Sequence, residues 1–107
     1  MTISYIILAH KNPEQVKRLV QKLSHKDCYF YIHVDKKTDI SPFLEKFSQI
    51  KNVFFMPDND RELLIWGDFS IVQATLTVMR KIITDERTGY VVLLSGQDYP
   101  IKSNSHI

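Results

Sequence analysis

The sequence predicts an α/β domain with a Rossmann-like, doubly wound, mostly parallel sheet and helices on both faces. Two observations carry this. Four short segments are β-branched or aromatic and apolar almost throughout, and segments with apolar residues at helical spacing alternate with them. Strands that are apolar on both sides need cover on both faces, and alternation with helices favours parallel pairing through crossovers.

The first strand covers Ile3 to Ala9 and stops at His10-Lys11-Asn12-Pro13. Val16, Leu19, Val20 and Leu23 then recur at helical spacing, with Glu14, Lys17, Arg18, Gln21 and Lys22 on the opposite, polar face. Asn12 as N-cap, Pro13 at the first helical position and Gln15 at the third open that helix. The second strand, Tyr29 to Val34, ends at Asp35-Lys36-Lys37. Ser41-Pro42 opens a short helix with Phe43, Leu44 and Phe47 as its apolar residues.

Val53 to Met56 is the third strand, closed by Pro57. The stretch Asp58-Asn59-Asp60-Arg61-Glu62 reads as a solvated loop leading to Trp66-Gly67-Asp68. A long helix follows, with Val72, Leu76, Met79 and Ile83 expected as its packed face. Gly89 ends it, and Tyr90 to Ser95 is the fourth strand.

A chain of 107 residues has room for one core, so residues 1–107 read as a single α/β domain. Three glycines and four prolines exclude collagen-like and Pro/Gly-rich disordered chains. The formal charge of +2, with basic residues spread along the chain, gives no sign of a nucleic-acid partner. Cys28 is a lone cysteine beside an apolar run and reads as a buried, inert thiol. The segment shows neither a signal peptide nor about 20 consecutive apolar residues of a membrane span. The expectation is a cytoplasmic or membrane-peripheral protein.

In such sheets ligands bind beyond the carboxyl ends of the strands, where the strand order switches. There the first strand delivers His10, Lys11 and Asn12, the second His33 and Asp35, and the fourth Ser95, Gly96, Gln97 and Asp98. Asp35 suits hydrogen bonding to a ribose or a base edge, and equally suits a plain loop role capping Thr38. His33, on an otherwise apolar strand, reads as a core histidine. No glycine-rich phosphate cradle is available from glycines 67, 89 and 96. Asp58-Asn59-Asp60 has the spacing of a cation-binding acidic pair, yet its polar setting beside Arg61 favours an ordinary loop, so no metal site is assigned. Gly96-Gln97-Asp98-Tyr99-Pro100 reads as a sharply shaped binding loop. Trp66 suits core packing or stacking on a ring.

Four strings in order now bear on a family. They are Ile7-Leu8-Ala9-His10-Lys11 with Pro13-Glu14-Gln15, then Tyr31-Ile32-His33-Val34-Asp35-Lys36-Lys37, then Trp66-Gly67 with Phe69 to Leu76, and Leu93 to Lys102. The ordered set resembles the core-2/I-branching glycosyltransferases, which include β-1,6-N-acetylglucosaminyltransferases and peptide O-xylosyltransferases. The resemblance implies a GT-A type fold and inverting transfer of a sugar, such as N-acetylglucosamine or xylose, from a UDP-sugar to an acceptor hydroxyl. It implies no metal cofactor. It further implies that His10, Val34, Asp35, Trp66 and Gly67 hold the donor nucleotide, and that Gly96, Gln97, Asp98 and Tyr99 line the donor-sugar and acceptor loop. Asp68 departs from the second glycine common after Trp-Gly in that family. The family's catalytic base is expected beyond Ile107, which makes residues 1–107 the amino-terminal half of a larger enzyme and inactive alone. The alternative is a non-catalytic nucleotide-binding or receiver-like domain with Asp35 as its acceptor. That domain wants an acidic pair after the first strand, where this chain has Ala9-His10-Lys11-Asn12.

Overall fold

The computed structural model describes residues 2–64 and 69–95. The four strands are β1 (Ile3–Ala9), β2 (Cys28–Val34), β3 (Val53–Phe55) and β4 (Tyr90–Ser95); the helices are α1 (Pro13–Leu23), α2 (Ser41–Lys46) and α3 (Phe69–Thr84). All three strand pairings are parallel and the order is β3-β2-β1-β4. The expected α/β fold is therefore what forms. Each crossover carries a helix, as parallel neighbours require.

The sheet separates two cores. On one face Tyr5, Ile7, Phe30, Ile32, Val34 and Val92 pack with Val16, Leu19 and Val20 of α1 and Phe43 and Phe47 near α2. Tyr5 and Phe30 are register partners and stack at 5.0 Å with an 11° interplanar angle. Such a pair contributes about 0.5–1.5 kcal/mol beyond its buried area. On the other face Ile6, Leu8 and Tyr31 pack with Ala74, Val78 and Ile82 of α3, and with Met56 and Leu64. Alternation of side chains along β1 and β2 thus feeds both layers from the same strands.

Three local expectations need correction. The packed face of α3 is Ala74, Val78 and Ile82, with Ile71 against it, whereas Val72, Leu76, Met79 and Ile83 are exposed. The helix is apolar over more than half its circumference, so spacing alone admits two faces, and the small Ala74 lets α3 sit close to the sheet. Leu44 of α2 is likewise exposed, while Phe43 and Phe47 are buried. Asn12 does occupy the N-cap, but in a left-handed conformation (φ 56°, ψ 63°) without a side-chain cap; its backbone carbonyl accepts from the amides of Gln15 and Val16.

Strand β4 lies at the edge of the described sheet. Its Val92 is buried and Leu94 packs beside it, while Val91 and Leu93, on the α3 side, are exposed. Gly89 precedes it at φ +104°, and a Cβ there would stand 2.0 Å from the Thr2 carbonyl oxygen. The same carbonyl accepts the Tyr90 amide at 3.0 Å, so close approach and pairing begin together. Cys28 is buried as expected, its thiol donating to the His25 carbonyl oxygen at 3.0 Å. Among the described residues no helix is long and apolar enough to cross a membrane.

Candidate functional site

In the order β3-β2-β1-β4, the chain leaves β1 toward β2 and later returns to β1's other side as β4. The switch point is therefore between β1 and β4, and the carboxyl rim beside it is where such a sheet receives a ligand. His10 stands directly after β1, and Val34 and Asp35 stand at the end of β2, so the structure gathers these three candidates on one rim. Trp66, Gly67, Gly96, Gln97, Asp98 and Tyr99 lie outside the described residues.

The rim is knitted by the backbone. The Asp35 amide donates to the Ala9 carbonyl at 2.8 Å, and the Lys36 amide donates to the Glu62 carbonyl at 3.0 Å. Thr38 closes a turn by donating its amide to the Asp35 carbonyl at 2.9 Å, and its hydroxyl donates to the His10 carbonyl at 2.8 Å. His10 itself is half-buried.

Asp35 is buried. Its Oδ1 accepts the Lys37 amide at 3.2 Å, an Asx-type turn, and its Oδ2 lies 3.9 Å from Lys37 Nζ. The Lys37 side chain is 64% exposed, so the partner of this buried carboxylate is a solvated, movable ammonium. His33 is fully buried, as a core histidine should be, and its Nε2 accepts the Glu62 amide at 2.7 Å. Accepting at Nε2 puts the proton of the neutral ring on Nδ1, which has no hydrogen-bond partner among the described residues. Burial is the main cause that pushes the His33 pKa below the usual histidine value, partly opposed by the Glu62 and Asp35 charges.

Arg61 departs most from the sequence reading. It is buried, not solvated. Its Nε donates to the Val34 carbonyl at 2.9 Å, and one terminal nitrogen donates to the carbonyls of Asp35 at 2.7 Å and Thr38 at 2.6 Å. The other donates to Asp58 Oδ1 at 2.8 Å. The sequence offers little sign of this beyond the position of Arg61 between the acidic turn Asp58–Asp60 and apolar Leu63-Leu64. Asp58 therefore holds a guanidinium, which favours the loop reading of the Asp58-Asn59-Asp60 string. Among the described residues no three His, Cys, Asp or Glu side chains converge as metal ligands.

A family model described as "Core-2/I-Branching enzyme" matches residues 3–107. The chain belongs to the Core-2/I-Branching enzyme family. Within that family it is similar to "Xylosyltransferase 1" of Homo sapiens, 32% identical over 110 residues, covering 98% of this chain and 11% of the relative. It is also similar to "Xylosyltransferase 2" of Homo sapiens, 32% identical over 112 residues with 98% and 12% covered. A third relative is "Xylosyltransferase" of Ciona intestinalis, 29% identical over 109 residues with 98% and 13% covered. The chain thus spans about a tenth of the length of these relatives. As a Core-2/I-Branching chain it carries the family match across both β strands of the rim, and the match begins at the first residue of β1.

Proposed function

We propose that the chain forms the donor-nucleotide layer of a glycosyltransferase that moves a sugar from a UDP-sugar to an acceptor hydroxyl. The observation that carries this reading is the carboxyl rim of β1 and β2 beside the β1/β4 switch point, with Asp35 at its head, in a Core-2/I-Branching chain. The names of the xylosyltransferase relatives support sugar transfer. Asp35 accepts hydrogen bonds from the uridine, with His10 and Val34 beside it, and Trp66, Gly67 and the residues 96–99 complete the donor and acceptor pockets. The transfer is inverting, and Asp58, engaged by Arg61, is not used to hold a cation.

Chemically, a carboxylate is a strong acceptor for N–H and O–H donors of a nucleoside, and it gains strength in a site shielded from water. Because Asp35 is buried, a nucleotide reaches it only as a neighbouring side chain moves, and the exposed Lys37, 3.9 Å from Oδ2, is free to do so. The base that deprotonates the acceptor and the cations that receive the leaving UDP are assigned to no described residue.

Burial of Asp35 also favours a second reading, in which its carboxylate only shapes the turn at Lys37. Calorimetry with UDP separates them. Under the donor reading Asp35→Ala abolishes measurable UDP binding. Asp35→Asn, which keeps the acceptor for the Lys37 amide, still weakens it about tenfold, the equivalent of about 1.4 kcal/mol. Wild-type affinity in Asp35→Asn leaves the turn-shaping role alone standing.

A further inference from the structure

The loop that presents Asp35 has an unusual support. Between the end of β2 and α2 the chain turns through Asp35, Lys36, Lys37 and Thr38, and three backbone carbonyls around that turn (Val34, Asp35 and Thr38) point at one guanidinium. The Asp35 carbonyl also accepts the Thr38 amide, and a carbonyl buried without a donor is costly, so the turn in this shape is supported by a group that serves acceptors in three directions. Arginine is the side chain with a planar array of five N–H donors; a lysine ammonium is a single point with three. Asp58, the ion-pair partner, is 83% exposed and sits on the outside of this arrangement.

We propose that Arg61 is a positioning residue of the donor site: it acts through the backbone of the Asp35–Thr38 turn to fix where the Asp35 carboxylate stands. This deepens the donor reading of Asp35 and rests on it. Arg61 touches no nucleotide itself. Its reach across the Val34, Asp35 and Thr38 carbonyls sets the turn in register with the His10 carbonyl that Thr38 grips from the other side. The neighbouring Glu62 then locks the same segment twice, giving its amide to His33 and its carbonyl to Lys36. Asp35 is thereby held from β1, from β2 and from the segment after the Asp58–Asp60 turn.

The test uses the whole chain and two readouts, both taken well below the unfolding midpoint. The first is UDP titration by calorimetry; the second is residue-resolved amide hydrogen exchange. Arg61→Lys keeps the charge and the reach toward Asp58 but cannot serve three carbonyls. It is expected to accelerate exchange at Lys36, Lys37 and Thr38 at least about tenfold relative to the Met56 amide, which bonds Ile32 in the sheet. It is also expected to weaken UDP binding about tenfold. Asp58→Ala removes the ion pair alone and leaves both readouts within about twofold. Arg61→Lys combined with Asp35→Asn binds UDP no more weakly than Asp35→Asn alone, because the two act on one contact. A uniform rise in exchange across the sheet, with UDP affinity of the folded protein unchanged, would overturn the proposal and leave Arg61 as a stability residue. Absence of UDP binding by the wild type sinks the donor reading instead, and the exchange pattern then decides whether Arg61 holds the turn.

Discussion

The hydroxyl of Tyr31 ties the far end of α3 to the middle of the sheet, and removing that one oxygen has a calculable cost. Tyr31 Oη donates to Asp85 Oδ2 at 2.7 Å and accepts from Arg87 Nε at 3.1 Å. Asp85 is also paired with Lys81 at 3.1 Å, and the Arg87 guanidinium lies 3.7 Å over the Tyr29 ring. Tyr31→Phe deletes both hydrogen bonds while keeping the ring on Phe54, 5.2 Å between centroids. Hydrogen bonds to charged groups are worth about 1.5–3 kcal/mol each when well buried. The Asp85 side chain is 22% exposed and water partly replaces what is lost, so each bond counts for about 1 kcal/mol, below that range. The two bonds together are then worth about 2 kcal/mol. In a domain of this size that lowers the melting temperature by roughly 8–16 °C.

The pH dependence gives a sharper readout. The Tyr31 hydroxyl, and then Lys81, hold the Asp85 carboxyl below the usual carboxylate range. A depressed carboxyl pKa contributes stability that is present above the unfolded value of about 3.9 and is lost as pH falls through the folded value. Urea unfolding of wild type and Tyr31→Phe at pH 7 should differ by about 2 kcal/mol, and the gap should narrow as pH falls from about 4. A difference under about 0.5 kcal/mol at pH 7, or a gap unchanged down to pH 3, refutes the reasoning.

Three further outcomes follow from the packing. Gly89→Ala collides with the Thr2 backbone at a positive φ, and chemical denaturation should register a loss of more than about 2 kcal/mol. On α3, Val78→Ala should cost about 2 kcal/mol, whereas Ile83→Lys, at a position 71% exposed, should stay within about 0.5 kcal/mol of wild type; the reverse ranking restores the packed face expected from spacing. Because burial holds the His33 pKa down, its neutral form contributes stability that is full above the unfolded value of about 6.5 and declines as pH falls below it. His33→Gln should flatten the stability profile between about pH 6.5 and 5, and an unchanged slope there removes His33 as its source.

The sheet is legible in the sequence because β1 and β2 are apolar on both faces, and only a covered parallel sheet accommodates that. The helix α1 is legible because its polar and apolar faces are cleanly separated. Helix α3 is different: Val72, Leu76, Met79 and Ile83 form as good a stripe as the residues that pack, and the choice between them depends on the sheet surface, which no local window contains. The rim positions of His10 and Asp35 follow from strand ends and are visible in advance. Burial of Asp35 is not, since it sits among groups distant in sequence, with its amide on the Ala9 carbonyl and Arg61 on its own carbonyl. Nor is the role of Arg61, whose three carbonyl acceptors lie 23 to 27 residues earlier in the chain.

The position of β1 has a consequence for how the chain comes off the ribosome. Among the described strands it is made first, and like β2 it is flanked on both sides: Ile3 pairs with Cys28 on one edge and with Tyr90 on the other. The first partner arrives within a few dozen residues; the second arrives only after β2, α2, β3 and α3 have been made. At about 5–20 residues per second, the interval between completion of β2 and of β4 is roughly 3–12 s. Through that interval the nascent protein carries β1 with one unpaired edge, so chaperone capture and misassembly of the newborn chain should concentrate on the edge that β4 closes.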